Sequence, residues 1–377
     1  MASASDLDLR NRKKIYQQLS ERVYDLVVIG GGITGAGVAR DAAMRGLSVA
    51  LIEAKDFASG TSSRSSKMIH GGLRYLAQGD IPVVKESATE RATLHRIAPH
   101  LAKKTQYILP ASSKAEEIAL RTALWTYEKL GKVQTTDRHQ VWKPAELAIR
   151  EPLLNTASMH SGVVYPEYLT DDARLTVATL RSAFAYGAIV ANYVKAVGIK
   201  KDKEFSVICR SQLEDDGEEF EIRALTAVNA AGPWVDAVCE IENPKQAPRL
   251  ALSRGIHVVV DREALPINHT VVMSTSDKRR TFSVPLGAYT YVGTTDEFYP
   301  DTDYWPPIHQ RDVDYLFASV HSSINNVSLT NDDIVSVWSG IRPLVGGEGK
   351  SAKEISRKDE VWEGPTGMLS IGGGKLS

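Results

Sequence analysis

Tyr24-Asp25-Leu26-Val27-Val28-Ile29-Gly30-Gly31-Gly32-Ile33-Thr34-Gly35 runs from a strand-like apolar stretch straight into the pattern Gly30-x-Gly32-x-x-Gly35. The first of these glycines allows a tight turn, the second lets the backbone approach a pyrophosphate, and the third lets helix and strand pack closely. Helix-compatible residues 36–45 follow, then the apolar run Val49–Ile52, closed by Glu53. An acidic residue at that distance suits ribose hydroxyls. Glycine triplets recur by chance in loops, and the alternative is an ordinary βα turn without a nucleotide. Here strand, helix and acid agree, so the segment reads as a dinucleotide-binding βαβ unit.

A chain of 377 residues is long enough for roughly two or three domains. Its 43% apolar and 24% charged residues are ordinary for a globular protein and argue against disorder. A net charge of -1 offers no global field for nucleic acid, so any bound anion needs a local cation cluster. Cys209 and Cys239 are far apart, without a CxxC, which suits reduced thiols in a cytoplasmic setting. No apolar stretch approaches the roughly 20 residues that cross a bilayer, and residues 1–23 lack the apolar core of a signal peptide. Residues 9–19, with Arg10, Arg12, Lys13 and Lys14 beside Ile15, Tyr16 and Leu19, predict a short basic helix. Two readings stand for it: a solvated, partly frayed terminus, or a contact with an anionic membrane surface.

Farther along, residues 56–66 read as a polar loop able to wrap a ligand. Residues 73–101 are largely helix-compatible, with Pro82 near one helix start and Pro99 marking an end, and residues 115–151 are helical and aromatic. Residues 161–166 predict a short strand, 171–186 a helix, and 189–197 a strand, resuming the βαβ theme. A hairpin is expected over 201–225, followed by an apolar run 225–231 that ends in Gly232-Pro233-Trp234. Short strands at 257–260, 270–273, 281–284 and 289–292 predict an antiparallel sheet. Residues 334–338 and 368–371 are also strand-like. The first βαβ unit, the strand before Gly232 and the strand before Gly372 would then share one sheet, with the antiparallel part inserted between them. That discontinuity suits a flavoprotein better than a continuous NAD-binding block.

The motifs Gly30-x-Gly32-x-x-Gly35, Thr61-Ser62-Ser63-Arg64-Ser65-Ser66-Lys67-Met68-Ile69-His70-Gly71-Gly72-Leu73-Arg74-Tyr75, Thr170-Asp171-Asp172-Ala173-Arg174-Leu175 and Ala230-Ala231-Gly232-Pro233-Trp234-Val235 carry a family likeness. So do Gly293-Thr294-Thr295-Asp296, Ser339-Gly340-Ile341-Arg342-Pro343-Leu344, Glu354-Ile355-Ser356-Arg357 and Gly373-Gly374-Lys375-Leu376. In this order the chain resembles the FAD-dependent glycerol-3-phosphate dehydrogenases of respiratory, aerobic type, over nearly all of residues 24–377. The resemblance implies an α/β fold: a Rossmann-like FAD-binding domain of the glutathione-reductase/D-amino-acid-oxidase type with an inserted, largely antiparallel substrate domain. The expected division is 1–23 as an N-terminal segment, 24–100, 167–240 and 335–377 as the FAD-binding domain, and 101–166 with 241–334 as the substrate-binding domain. Family members continue past Gly-Gly-Lys-Leu into another helix and a helical domain, so the C-terminal helical cap is absent from these 377 residues.

The implied reaction takes a hydride from C2 of glycerol 3-phosphate to flavin N5, giving dihydroxyacetone phosphate, with a quinone as acceptor. An oxidase passing electrons to oxygen and a non-catalytic flavin-binding chain stand as alternatives. Arginine suits the phosphate, because its planar fork donates two parallel charge-assisted hydrogen bonds. Arg342 and Arg357 lead as phosphate ligands, with Arg74 and Lys375 beside them and Tyr75 orienting the substrate. A base is needed at the C2 hydroxyl, and histidine titrates near working pH. His257 is the first candidate and His70 the second, His70 leaning toward flavin contact; Arg254 and Lys278 rank below. For FAD, the resemblance implies Gly30, Gly32 and Gly35 at the pyrophosphate, Glu53 at the adenosine ribose and Val194 by the adenine. Thr61, Ser62, Ser66, Lys67, Met68 and His70 form the wrapping loop, and Gly232, Trp234, Lys375 and Leu376 complete the set. No metal is expected. A homodimer is a candidate assembly, and a cytoplasmic location, peripheral on the inner membrane face, is the candidate location.

Overall fold

The computed structural model describes residues 7–69, 81–131, 133–213, 217–346, 359–374 and 376. Strand β1 (Val23–Ile29) lies inside an eight-stranded sheet, flanked by β2 (Val49–Ile52) and β10 (Glu219–Asn229), both parallel to it. Buried on both faces over most of their length, β1 and β2 read as continuous apolar runs rather than alternating ones, and β10 joins them in this only at its end, Ala227 to Asn229. Beyond β10 lies β18 (Leu369–Gly372), and beyond β2 lies β7 (Ile189–Ala191), each again parallel. Pieces from both ends of the sequence thus close one sheet, as the discontinuous reading expects. Helix Ile33–Met44 packs on it through Ala36, Ala39, Ala42 and Ala43, whose small side chains permit close approach. Helix Asp172–Ala185 packs beside it, started by Asp171, whose carboxylate accepts the Arg174 N–H.

Three local expectations change. The predicted strand 189–197 is two strands, because Tyr193 takes φ +56° and its N–H donates to the Lys55 carbonyl at 2.8 Å. The chain then bends into β8 (Val194–Lys201), which leaves β2 and pairs antiparallel with β9 (Phe205–Ser211). Conversely, runs 220–225 and 225–231 merge into the single strand β10, which pairs with β9 at its start and with β1 farther on. The N-terminal helix, Arg12–Ser20, is packed on the sheet by its apolar side rather than held loosely as a solvated terminus. Asn11 caps it, Ile15, Tyr16 and Leu19 are buried, the Tyr16 ring stacks on Phe220 at 4.7 Å, and its hydroxyl bonds Ser211. Its apolar side is used up against the sheet.

The second sheet has ten strands in the path β15-β11-β14-β13-β12-β4-β6-β3, with β16 on β11 and β5 on β6. These are β3 (Met68–Ile69), β4 (Lys103–Ala111), β5 (Gln140–Trp142), β6 (Ser161–Leu169), β11 (Leu250–Asp261), β13 (Arg280–Leu286), β14 (Tyr289–Gly293), β15 (Glu297–Phe298) and β16 (Ile334–Val345), with β12 (Thr270–Ser274) between β13 and β4. The pairing is antiparallel except between β4 and β12. The segments 257–260 and 334–338, read as short, belong to β11 and β16, which pair along most of their length. Strands β3 and β16, which fall within the segments expected to form the FAD-binding domain, pair in this second sheet. Helix Gln310–Ser323 seals one face by setting Leu316, Phe317 and Val320 against Val258, Val271 and Val292. Among the described residues, no helix is long and apolar enough to cross a membrane.

Candidate active site

The carboxyl ends of β1, β2 and β10 meet at the glycine turn, the place where open α/β sheets bind ligands. Gly30 has φ +116°, and a Cβ there would lie 2.4 Å from the Ala230 carbonyl oxygen. A Cβ on Gly35 would lie 1.9 Å from the Gly30 oxygen, so neither position accepts a side chain without moving backbone. Gly32 precedes helix Ile33–Met44 and offers no side-chain cap; the Ile33 N–H donates instead to Ser62 Oγ at 2.9 Å. Glu53 accepts the Gly31 and Lys55 N–H groups, each at 2.8 Å. Burial pushes its carboxyl upward, against the two N–H bonds that favour the anion. Each oxygen of a carboxylate keeps a further acceptor position, so ribose hydroxyls can still be held. A side-chain-free turn, a helix N-terminus and a half-buried acid together fit the adenosine diphosphate half of FAD.

The loop 60–67 leaves this turn and crosses to the second sheet. Gly60 passes Trp234, where a Cβ would come within 2.9 Å of the indole, and Gly232 before it turns at φ +58°. Trp234 Nε1 donates to the Thr302 carbonyl at 3.1 Å. Thr61 Oγ1 donates to the Ile341 carbonyl of β16 at 2.7 Å. Ser66 shares a 2.9 Å hydrogen bond with His257 Nε2. Lys67, at φ +54°, places Nζ 2.7 Å from Asp172.

Pairing of β11 with β16 sets Ser253 opposite Arg342, Gly255 opposite Gly340 and His257 opposite Trp338. Alternation along a strand puts these six residues on one face. The two glycines clear it: a Cβ on Gly255 would lie 2.2 Å from Arg342 Nη2, and one on Gly340 would lie 2.9 Å from Arg64. His257 is 2% exposed, its ring stacked on Trp338 at 4.6 Å with Tyr291 at its edge. Burial, then Arg342, then Lys67 hold its pKa well below the ordinary 6.5, so the ring is a neutral imidazole at neutral pH. Arg342 Nη2 donates to Thr294 Oγ1 at 2.8 Å, and Nη1 to Asp296 at 3.2 Å and Ser253 Oγ at 3.3 Å.

The structure therefore brings together His257, Arg342, Ser66 and Lys67 from the predicted set, and gathers Gly30, Gly32, Gly35, Glu53, Thr61, Ser62, Gly232 and Trp234 at the adjoining nucleotide end. Met68 is buried in the core of the second sheet, and Val194 points its fully buried side chain into the core below β1. Val194 reaches the nucleotide end through its N–H, which donates to the Glu53 carbonyl at 2.8 Å. Leu376 is partly buried. His70, Arg74, Tyr75, Arg357 and Lys375 lie outside the described residues. The lower-ranked Arg254 is 2% exposed and paired with Glu297 at 2.7 Å and Asp312 at 3.1 Å, a structural ion pair; Lys278 sits in an exposed turn. Sequence reasoning gave no role to Arg64, Asp172, Tyr291 or Trp338. Arg64, buried against the Tyr304 and Trp305 rings at 4.4 and 3.6 Å, and Asp172 both stood inside the motifs quoted for the resemblance, which was a usable signal. Cavity volume does not mark the site: a cavity of about 420 Å³ is lined by Pro233, Leu250, Phe298 and Tyr299, away from His257.

A parallel sheet with this glycine turn, joined by its loop to an antiparallel sheet bearing a buried histidine, defines a dinucleotide-binding oxidoreductase. Residues 25–368 match the family model of FAD dependent oxidoreductases, and the chain belongs to that family. It is 42% identical over 370 residues to the aerobic glycerol-3-phosphate dehydrogenase of Staphylococcus aureus, covering 97% of this chain and 66% of that protein. The structure of glycerol-3-phosphate dehydrogenase from Bacillus halodurans complexed with FAD superposes with a TM-score of 0.79 at 36% identity, over 100% of this chain and 65% of that one. L-alpha-glycerophosphate oxidase from Mycoplasma pneumoniae with FAD bound shares the fold, with a TM-score of 0.70 at 17% identity, over 94% of this chain and 89% of that one. The chain spans just under two thirds of the length of its dehydrogenase relatives. FAD is thus the family's cofactor, and the nucleotide end has the shape for it.

Proposed function

We propose that this chain is the flavin- and substrate-binding part of a glycerol-3-phosphate dehydrogenase, oxidising glycerol 3-phosphate to dihydroxyacetone phosphate and passing the electrons to a quinone. The observation that supports it is the shared face of β11 and β16. A neutral, buried imidazole and a guanidinium stand on that face, beside the loop that leaves the nucleotide turn. FAD, when bound, supplies the acceptor for the hydride leaving C2. His257 takes the proton from the C2 hydroxyl, a role that a neutral imidazole can fill and an imidazolium cannot. Arg342 holds the phosphate, its Nη groups turning from Asp296 and Thr294 toward a dianion that is the stronger acceptor. Arg74, Arg357 and Lys375 are proposed as further cations at the phosphate, and Tyr75 as an orienting residue. Trp338 and Tyr291 exclude water from one side of the imidazole. A place on the inner face of the cytoplasmic membrane, where quinones are met, belongs to the same reading.

The test is anaerobic addition of glycerol 3-phosphate to the FAD-loaded chain, followed by its visible absorbance. Bleaching of the flavin band is the expected result, and reoxidation faster with a soluble quinone than with air assigns the acceptor. A flavin band unmoved by glycerol 3-phosphate, in protein that has bound FAD, overturns the substrate.

A further inference from the structure

Besides catalysis and cofactor binding, the turn Ser65-Ser66-Lys67 carries an arrangement that neither role requires. Asp172 is fully buried at the first turn of helix Asp172–Ala185, where the helix dipole favours its negative charge. Its carboxylate accepts from the Ser65 N–H at 3.1 Å, Ser65 Oγ at 2.7 Å and Lys67 Nζ at 2.7 Å. The Lys67 N–H donates back to Ser65 Oγ at 3.0 Å, and the Thr170 N–H to the Lys67 carbonyl at 2.8 Å. From the other sheet, Tyr291 donates its hydroxyl to the Ser66 carbonyl at 2.8 Å. Ser66 is therefore clamped on both sides, and among the described residues its side chain bonds His257 Nε2 at 2.9 Å.

The other ring nitrogen, Nδ1, is buried and has no partner among the described residues. The ring's one hydrogen can then sit in either of two places. On Nδ1 it would be a buried N–H with no acceptor among the described residues, the rarer and costlier kind of orphan. On Nε2 it is donated to Ser66 Oγ, and Nδ1 is left with a lone pair. We infer that Ser66 is a positioning residue for His257: clamped by Asp172 and Tyr291, it holds the hydrogen on Nε2 and leaves the Nδ1 lone pair free to accept a proton. The catalytic use of that lone pair rests on His257 being the base; the tautomer itself does not.

The experiment is nitrogen NMR of the FAD-loaded chain labelled with 15N-histidine, with His257→Asn used to assign the His257 signals. The parent is expected to show a protonated Nε2 and an unprotonated Nδ1. Ser66→Ala removes the acceptor of one hydrogen bond, so the tautomer ratio should move toward unity by about 2- to 10-fold. Ser66→Thr, which keeps the hydroxyl, should restore it. Flavin reduction by glycerol 3-phosphate, measured on the same variants, should slow in the alanine variant and recover in the threonine variant. A parent carrying its hydrogen on Nδ1, or an alanine variant with unchanged nitrogen shifts, overturns the positioning role and leaves the base assignment on its own footing. If the nitrogen shifts behave as expected but His257→Asn reduces flavin at the parent rate, the base assignment falls and the positioning of the ring stands.

Discussion

Arg342 shows how much a side chain's reach depends on what its neighbours lack. Its guanidinium lies where a Cβ of Gly255 would stand, so any larger residue at 255 would push the fork out of the face it shares with His257. Arg342→Ala removes the fork itself, losing a charge-assisted contact of about 1.5–3 kcal/mol. The expected result is a Michaelis constant for glycerol 3-phosphate about 10- to 150-fold higher, with a smaller change in the limiting rate. Flavin reduction followed against substrate concentration decides it, and an unchanged saturation curve would remove Arg342 from the phosphate site. At the nucleotide end, Gly35→Ala puts a methyl group 1.9 Å from the Gly30 oxygen. The turn must then open, and the purified variant should carry far less FAD per chain than the parent, as read from its visible absorbance. Equal flavin content would mean that the turn is not where the pyrophosphate sits.

Helices and strands record a different balance between local pattern and packing. Residues 9–19 have the makings of a surface helix, and three of them, Ile15, Tyr16 and Leu19, recur on one side. Whether that side meets solvent, lipid or protein is not encoded in its spacing. It meets the sheet over β10 and β7, with Leu19 fully buried. Leu19→Ala should therefore lower the unfolding free energy by about 2–5 kcal/mol, the usual cost of a buried leucine-to-alanine change. A loss below about 0.5 kcal/mol in urea denaturation, the range of neutral surface changes, would return the helix to the role of a loosely held terminus. By contrast, β1, the glycine turn and β2 were visible within a few residues, because sterics at the turn and burial on both faces dictate them locally. The split at Tyr193 was not visible: a tyrosine at positive φ carries no sequence mark, and its tie to the Lys55 carbonyl is a contact between distant segments.

At the scale of the whole molecule, burying His257 between the sheet and the loop couples the site to stability. Burial, then Arg342, then Lys67 keep the native ring from taking a proton down to a pH well below 6.5. The unfolded ring has no such constraint. Between the native pKa and about 6.5 the unfolded chain thus binds more protons, and stability falls as the pH drops. Above about 6.5 the ring is neutral in both states and contributes no slope. Urea midpoints measured from about pH 7.5 to 5.5 should decline in the parent and decline less steeply in His257→Asn. Equal slopes would mean that other groups carry the acid sensitivity. The comparison tests the burial of His257 independently of any catalytic role.

The sequence by itself determined the βαβ unit, the glycine turn with Glu53 at the end of the next strand, the sharing of one sheet by distant segments, and the family. Each follows from short-range sterics, from runs of burial, or from motifs kept in order. Tertiary structure alone decided that Ser66 meets His257 across 191 residues, that Asp172 and Tyr291 clamp the turn between them, and that Gly255 and Gly340 clear a face for Arg342 and Arg64. It also decided where β16 pairs and what the N-terminal helix covers. The physical reason is the same in each case. These are contacts between segments far apart in the chain, where geometry depends on how two sheets pack, and residue spacing carries no information about that.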